Sequence, residues 1–581
     1  MLKQLAGRVR EFKRLSIATP ILVALEVVME CIIPFLIAEL VNQIKGGCSM
    51  PTLLRYGLLL VLMAVLSLTF GVAAGVTCST AACGFARNLR RDMFHTVQHY
   101  SFENIDRFST SSLVTRLTTD VSNVQHAYMM LIRVAVRSPM MLVFSFIMAF
   151  IMGGQMAWIF VGLVPLLAAG LICIARFAMP LFRRVFKKYD VLNASIQENV
   201  KGMRVVKSYV RERDEQKKFA AAADDVCADF TRAERILAFN GPLMQFCLYS
   251  VILFVQGFGS YLVITTRGTD LDIGQMSALL TYGMMILSSL MMLSMIFVML
   301  TLSAESAKRI VEVLEEKPTL TECANPVTEV ADGSVDFCGV SFKYSAKADR
   351  MALADIDLHI RSGETIGIVG TTGSSKSSLI QRISRLYDAT EGTVRVGGVD
   401  VRDYSLHALR NQVAVVLQKN ILFSGTIKEN LRWGNPEATD AEMEEACRLA
   451  CADEFIRSFP DGYDTYIEQG GANVSGGQKQ RLCIARALLK KPKILILDDS
   501  TSAVDTRTDA MIRAAMREFI PSTTKIIIAQ RTASVEDADR ILVMDGGRIS
   551  ACGTHAELMQ SCAIYRETYI SQNKAGEDDA E

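Results

Sequence analysis

Uncharged stretches of helical length fill the first half of the chain. Residues 56–86, 138–175, 236–266 and 273–304 contain no Asp, Glu, Lys or Arg. About 20 apolar helical residues cross a bilayer, so the stretch 138–175 is too long for one span. The "GGQ" at residues 153–155 divides it into two. With a further span near residues 16–44, the pattern predicts six transmembrane helices.

Short β-type runs alternate with helical stretches from about residue 335 onward. Examples are "VDFCGVSFKY", "ETIGIVG", "VAVVLQ", "KILILDD" and "KIIIAQ". This alternation predicts a mainly parallel α/β domain. We therefore expect a transmembrane domain at 1–310, a linker at 311–333, an α/β domain at 334–570 and an acidic disordered tail at 571–581.

Basic residues cluster on one side of the predicted spans. They precede the first span, follow the second and follow the fourth, whereas the short turns at 153–155 and 267–272 carry no such excess. The positive-inside rule then places the N-terminus, both long loops and the C-terminal half in the cytoplasm of a cell membrane protein, which we expect to be bacterial. The basic start precedes a span too long and too polar for a cleaved signal, so we expect no processing. The clustered residues are Lys3, Arg8, Arg10, Lys13, Arg14, Arg87, Arg90, Arg91, Arg183, Arg184, Lys187 and Lys188.

The composition is typical of a membrane protein and argues against nucleic acid as a partner. Half of the 581 residues are hydrophobic, and the net charge of +1 implies no nucleic-acid partner. The fourteen cysteines form no CxxC pair. In a reducing compartment they act most simply as small hydrophobic side chains.

A glycine-rich loop between a predicted strand and a predicted helix occurs in "IGIVGTTGSSKSSLI". In that context backbone N–H groups and a helix N-terminus bind phosphates, a Lys reaches the β- and γ-phosphates, and a Ser holds Mg²⁺. Ser375 stands where the pattern has Gly before the Lys, and strain there costs about 1–3 kcal/mol. The candidate nucleotide-binding residues are Gly370, Thr371, Thr372, Gly373, Ser374, Ser375, Lys376, Ser377 and Ser378.

Two further motifs follow this loop, "NVSGGQKQRLCIARALL" and "ILILDDSTSAVD". With them, the chain resembles a half-transporter of the ATP-binding cassette (ABC) exporter family along nearly its full length. The resemblance implies a membrane domain of six helices with long cytoplasmic extensions. It also implies an α/β P-loop ATPase domain with a helical subdomain, and ATP and Mg²⁺ as cofactors.

The resemblance implies roles for residues that bind nucleotide on this chain. Tyr344 matches the aromatic residue that stacks on adenine, and Gln418 matches the glutamine that contacts Mg²⁺ and the membrane domain. Asp498 matches the acid that holds Mg²⁺ together with Ser377.

Other matching residues serve the second subunit of a dimer. Asp505 in "SAVD" resembles the acid of the loop that crosses the dimer. The signature resembles the motif that binds the γ-phosphate of ATP held by the opposite subunit. It comprises Ser475, Gly476, Gly477 and Gln478.

Three positions depart from the family pattern on the phosphate-holding side. They are Ser375, Asp499 where the general base is usually Glu, and Gln530 where the family has His. Asp is one methylene shorter than Glu, and about 1 Å of misplacement can cost roughly 100-fold in rate. Gln carries no charge and relays no proton. The intact signature and the three departures together resemble the degenerate-site subunit of bacterial heterodimeric multidrug-type exporters, whose partner supplies Glu and His. A homodimer that hydrolyses ATP slowly with Asp499 is the alternative.

Two cytoplasmic loops, residues 101–124 and 198–219, resemble the family's coupling loops, which dock on nucleotide domains. Within the spans, Glu26 and Glu30 lie one helical turn apart. Intramembrane acids are candidates for a substrate pathway, or for a polar cavity or an Arg pair.

The resulting prediction is half of an ATP-driven exporter of small amphipathic compounds, such as drugs, lipids or peptides, across the bilayer. A siderophore-type importer and a regulatory or channel subunit gated by ATP remain as alternatives.

Overall fold

The computed structural model describes residues 2–266, 271–345, 348–500 and 504–578. These residues form two compact units. The helical unit comprises Met1–His99 and Ser109–Glu316, and the α/β unit comprises Tyr100–Phe108 and Lys317–Glu581. Most of the predicted turn at 267–272 and the last three residues of the predicted tail, 579–581, lie outside the described residues.

Long helices build the first 316 residues. Their bounds are α1 Leu2–Gly7, α2 Lys13–Lys45, α3 Met50–Gln98, α4 Phe102–Arg107, α5 Thr110–Thr115, α6 Val121–Ile132, α7 Val134–Gly153, α8 Trp158–Ser208, α9 Glu212–Leu237, α10 Asn240–Thr265 and α11 Ile273–Glu315. A π-helical segment, Arg116–Asp120, joins α5 to α6.

Five helical stretches of the described chain are long and apolar enough to cross a membrane. One of them, Thr110–Phe182, includes both α7 and the first part of α8, with a short 3-10 turn at Gly154–Ala157 between them. The prediction of a helical transmembrane domain is therefore confirmed, and the turn lies where the "GGQ" predicts it.

Helix α3 illustrates why these helices assemble in a bilayer. Its buried face carries small side chains at helical spacing, Ala74, Cys78, Ala81 and Ala82. Small residues let neighbouring helices approach closely where lipid offers no hydrophobic driving force. Large apolar side chains such as Leu58 are exposed on α3 and suit contact with lipid.

Strands and helices alternate in the α/β unit after residue 334. Their bounds are β1 Val335–Phe342, β2 Leu353–Ile360, β3 Thr365–Gly370, α12 Lys376–Ile383, β4 Glu391–Val396, β5 Val399–Asp400, α13 Leu406–Gln412, β6 Val413–Val416, β7 Gly425–Thr426, α14 Ile427–Arg432, α15 Asp440–Leu449, α16 Asp453–Ser458, β8 Tyr466–Ile467, α17 Gly476–Leu489, β9 Ile494–Asp498, α18 Thr506–Phe519, β10 Thr524–Ile528, β11 Arg540–Asp545, β12 Arg548–Gly553, α19 His555–Ser561 and α20 Ala563–Asp578.

A six-stranded sheet of order β12-β11-β3-β10-β9-β6 forms the centre of this unit. Its strands pair in parallel except for β12. Strands β9 and β10 are buried along their whole length, which explains their continuous apolar sequences. The predicted parallel α/β architecture is confirmed. The pairing also brings the carboxyl ends of β3, β9 and β10 to one edge.

A second sheet is antiparallel, with the order β2-β1-β4-β5. The strand-and-helix alternation of the sequence does not predict it, because its strands belong to hairpin-like pairings rather than to βαβ units. Helices α14 to α17 lie between β6 and β9 in the chain and correspond to the implied helical subdomain.

Two element boundaries differ from the expected ones. Helix α11 continues to Glu315, beyond the predicted domain end at 310. Helix α20 continues to Asp578, whereas the acidic composition predicts disorder from 571. Gln572, in that stretch, hydrogen-bonds the loop after β10, and this contact gives the helix a partner that composition alone does not reveal.

Candidate functional site

The phosphate loop begins where β3 ends and continues into α12. Gly370 has φ +155°, and a Cβ at this position would lie 2.2 Å from the carbonyl oxygen of Met544. Only glycine fits this close approach of two strands. Ser375 has φ +70°, so the residue that replaces the usual Gly adopts the left-handed conformation that the pattern requires.

The Lys376 ammonium lies over the loop and is fixed by it. It donates hydrogen bonds to the carbonyl oxygens of Gly370 at 2.8 Å and Thr371 at 2.9 Å. Burial lowers the pKa of Lys376, while Asp498 and Asp499 act in the opposite direction. The side chain is thus a cation held beside the N-terminus of α12, where anions bind.

Strand β9 delivers Asp498 and Asp499 to the same edge, and both are buried. The Ser377 hydroxyl donates to Asp498 Oδ1 at 3.1 Å. Burial raises the pKa of Asp498, and the neighbouring Asp499 carboxylate raises it further. A cation at this point would relieve the repulsion between the two carboxylates.

The oxygen donors at this edge fit Mg²⁺. The Ser377 hydroxyl, the Asp498 carboxylate and the side-chain amide of Gln418 offer the hard oxygen ligands that Mg²⁺ prefers. Bound Mg²⁺ supplies charge neutralisation for phosphate oxygens. Among the described residues no group of three or more His, Cys, Asp or Glu forms a different metal site.

Two glutamines bind the carboxylate of Asp499. Gln530 Nε2 donates to Asp499 Oδ2 at 2.7 Å, and Gln418 Nε2 approaches the same oxygen at 3.3 Å. The Asp499 backbone N–H donates to Ile528 at the end of β10, and Asp499 has φ +48°. The residues at the base and His positions of the family are therefore engaged with each other.

A cleft of about 440 Å³ gathers the predicted residues at this edge. It is lined by Gly370, Thr371, Thr372, Gly373, Ser375, Lys376, Ser377, Ser378, Gln418, Asp498, Asp499 and Gln530. Parallel sheets present ligand sites at the carboxyl ends of their strands, which explains why residues more than 150 positions apart meet here.

Other predicted residues lie outside the lining of this cleft. Ser475 caps α17, where its hydroxyl accepts from the Gln478 N–H at 3.3 Å, and both Ser475 and Gly476 are exposed. Asp505 caps α18 and accepts from the Thr508 N–H at 2.9 Å. Tyr344 is half exposed, and its hydroxyl lies 2.8 Å from Ser378 Oγ at the start of α12.

Helix α20 contributes to the cleft through residues that sequence motifs do not predict. Tyr565, Thr568 and Gln572 line it. Gln572 Oε1 accepts from the N–H and hydroxyl of Thr532, both at 2.9 Å, and its Nε2 donates to the Gln530 carbonyl at 2.8 Å. The spacing of these three residues along one helical face is the only sequence signal for this role.

We expect Ser375→Gly to stabilise the α/β unit by about 1 kcal/mol, because glycine adopts φ +70° without the penalty that a Cβ causes. Nucleotide-free thermal unfolding of the detergent-solubilised chain measures this. Gly373→Ser is the matched control, since Gly373 has φ +87° and open space around it, and it should lower stability by a similar amount. Equal melting temperatures for the wild type and Ser375→Gly would contradict the prediction.

Glu26 and Glu30 meet Arg137 in the helical unit. Arg137 Nη1 bonds Glu26, and Nη2 contacts both Glu30 oxygens at 2.9 Å and 2.7 Å. Glu26 is buried, and Gly71 of α3 packs directly against its carboxylate. The structure therefore joins α2 and α7 by an ion cluster, the Arg pair that the sequence left open. A place in a substrate pathway stays a prediction.

Comparisons with known proteins agree with these features. The family model for the ABC transporter transmembrane region matches residues 16–303, and the ABC transporter model matches residues 353–502. The uncharacterized ABC transporter ATP-binding protein YfiB of Bacillus subtilis is 34% identical over 552 residues, which are 95% of each chain. The mitochondrial potassium channel ATP-binding subunit of Xenopus tropicalis is 31% identical over 495 residues, covering 85% of this chain and 71% of that protein.

A solved structure shares the fold. The ATP-bound structure of a bacterial Atm1-family ABC exporter has a TM-score of 0.81 and 25% identity, and the match covers 97% of this chain and 98% of that chain. The chain belongs to the ABC transporter family. It is an exporter-type half-transporter in which membrane and ATPase domains are fused, and the ATPase domain couples ATP hydrolysis to transport.

Proposed function

We propose that this chain is the degenerate-site half of a heterodimeric ABC exporter. The observation that carries the proposal is the hydrogen bond between Gln530 and Asp499 beside an unaltered signature. The phosphate loop, Ser377 and Asp498 keep the groups that bind Mg²⁺ and ATP. The catalytic positions do not keep the groups that activate water.

The contacts of Asp499 explain the slow chemistry expected at this site. A general base must reach the attacking water before its pKa matters. Asp499 has a shorter side chain than Glu, and its Oδ2 accepts from two amides. Gln530 donates a hydrogen bond but carries no proton that it can relay. ATP therefore remains bound at this cleft for longer than at a site with Glu and His.

The position of the signature supports a role toward a partner. Ser475 and Gly476 are exposed at the N-terminus of α17, and the described lining of this chain's own cleft does not include them. A helix N-terminus with free N–H groups binds phosphate. The signature of this chain would then close over ATP held by a second half-transporter with an intact Glu and His, and that composite site performs most hydrolysis.

The loop at 198–219 supports docking of the helical unit on a nucleotide domain. This stretch comprises the end of α8, a connection at 209–211 and the start of α9, and its apolar tip is open to solvent, with Tyr209 74% and Val210 80% exposed. Exposed apolar side chains at a tip suit a protein interface. Nucleotide-domain closure would move this tip, and with it the two long helices, in a rigid-body transition.

We infer a cell membrane location with both termini in the cytoplasm, and small amphipathic compounds as substrates. A regulatory or channel subunit is the second candidate, favoured by the similarity to the Xenopus tropicalis potassium channel ATP-binding subunit. No contact among the described residues favours the homodimeric exporter or the siderophore-type importer.

Co-expression with a second half-transporter that carries Glu and His at the matching positions tests the proposal. We expect a stable pair whose ATP turnover in lipid vesicles greatly exceeds that of the chain alone. ATP-dependent dye or drug accumulation in inverted vesicles tests export. Equal turnover by the lone chain would favour the homodimer, and a conductance gated by ATP without turnover would favour the channel subunit.

A further inference from the structure

Arg382 is a buried cation surrounded by aromatic rings. It lies on α12, two turns after the phosphate loop, and is 1% exposed. Its guanidinium carbon lies 3.2 Å from the ring centre of Phe342, 5.1 Å from that of Tyr387 and 5.8 Å from that of Tyr344. No carboxylate of the described chain forms an ion pair with it. We call Arg382, Phe342, Tyr344 and Tyr387 the arginine cage.

The rings are the nearest groups around the Arg382 charge, and the Asp388 carboxylate adds an attraction from farther away. Burial lowers the pKa of Arg382 to about 10, so it remains a cation at neutral pH. A desolvated cation–π contact depends steeply on the position of each ring. Because packed interiors move as units, a displacement of one ring shifts the guanidinium and the other rings.

One side of the cage faces the nucleotide site. Tyr344 is the residue that matches the adenine platform, and its hydroxyl contacts Ser378 Oγ at 2.8 Å and Gln381 Oε1 at 3.2 Å. Its ring and that of Tyr387 are nearly perpendicular, with the centres 5.5 Å apart. A base that stacks on the half-exposed ring of Tyr344 would therefore displace this ring and change its contact with Tyr387.

The other side of the cage holds α4, the short helix of the first coupling loop. The Tyr387 hydroxyl donates to Asp106 Oδ2 at 2.5 Å, and the Phe102 ring lies 6.2 Å from the Tyr387 ring. Asn104 of α4 donates to the Lys317 carbonyl at 3.0 Å. These contacts place α4 in the α/β unit although it precedes most of the helical unit in the chain.

We propose that the arginine cage transmits the presence of a purine base on Tyr344 to α4, through Arg382, Tyr387 and Asp106. Arg382 and Tyr387 are positioning residues in this link, and neither touches phosphate. The inference rests on the proposed ATP site with Tyr344 as its base platform. By linkage, the state in which Asp106 of α4 is bonded to Tyr387 binds ATP more tightly than the state in which this bond is broken.

Amide hydrogen exchange of residues 102–107 tests the link in the full chain in lipid nanodiscs. Samples contain Mg²⁺ with ATP, with inorganic tripolyphosphate, or with neither. We expect ATP to slow exchange by about fivefold or more, the lower end of typical coupling free energies, and tripolyphosphate to have no such effect, because it lacks a base. Direct binding of radiolabelled ATP is measured on the same samples.

Tyr387→Phe is the decisive variant, because it keeps the ring in the cage and removes only the hydroxyl that bonds Asp106. We expect it still to bind ATP, with an affinity lowered by no more than the about fivefold that reciprocal linkage allows, and to lose the ATP effect on exchange at 102–107. Tyr463→Phe is the matched control, since it removes a Tyr-to-Asp hydrogen bond of 2.7 Å to Asp453 elsewhere in the same unit. It should keep the ATP effect.

The possible outcomes distinguish a failure of the coupling to α4 from a failure of the proposed nucleotide site. Equal protection by ATP and tripolyphosphate, or full protection in Tyr387→Phe, would overturn the link while ATP binding stands. A wild-type chain that binds no ATP would overturn the proposed nucleotide site and the link with it.

Discussion

We expect Gly476→Asp to lower the ATP turnover of the assembled pair by about 100-fold or more, comparable to the loss of a transition-state hydrogen-bond donor. A carboxylate at this exposed position of α17 would repel the γ-phosphate that we propose the signature binds in the partner's site. The helix itself should tolerate the change, because Asp440 occupies the same first position of α15. Phosphate release in lipid vesicles measures the turnover.

ATP binding at this chain's own cleft should not change in Gly476→Asp, because the signature lies outside that cleft. Ala441→Asp is the matched control, since it adds the same charge to the exposed first turn of α15 in the same helical subdomain. It should leave turnover unchanged. A pair that keeps full turnover with Gly476→Asp would show that the signature of this chain serves no hydrolytic site.

Substitution of Arg137 should lower the stability of the helical unit by more than the phosphate-loop substitutions change the stability of the α/β unit. Arg137→Gln leaves the buried Glu26 and the partly buried Glu30 without their shared cation. Breaking a fully buried ion pair in this way costs about 3–5 kcal/mol, and we expect a loss toward the lower end of that range because Arg137 and Glu30 are partly exposed. We expect a clear fall in the melting temperature in detergent, because α2 and α7 lose the polar contact between them. Buried carboxylates inside a membrane domain are otherwise costly.

Two further variants make this prediction specific. The triple change Glu26→Gln, Glu30→Gln and Arg137→Gln removes every charge of the cluster and should recover most of the stability. Arg133→Gln, one turn earlier, is the control, because Arg133 forms no ion pair with a described residue. If the triple variant were as unstable as Arg137→Gln alone, packing around the arginine rather than charge would explain the loss.

Local motifs predict which residues gather at the cleft, because each motif combines a strand end with the residues that follow it. The runs before Gly370, Asp498 and Gln530 are all buried parallel strands. Parallel pairing then brings their ends together without further information. The same logic predicts the transmembrane helices, because uncharged length is itself the physical requirement of a bilayer.

Contacts between distant segments could not be predicted in this way. The partner of Glu26 is an arginine 111 positions away, and the Tyr387 bond to Asp106 spans 281 positions. The contribution of α20 depends on Gln572, which belongs to a segment whose composition predicts disorder. Such contacts depend on the tertiary fold, and single side chains carry no periodic signal for them.

The turnover of the pair with Asp499→Ala tests the central claim most directly. We predict that the pair with this substitution hydrolyses ATP at nearly the wild-type rate, that changing the partner's catalytic Glu abolishes turnover, and that the lone chain shows little activity. Robust turnover by the lone chain that is lost in Asp499→Ala would contradict this account, because Asp499 would then be a working base in a homodimer.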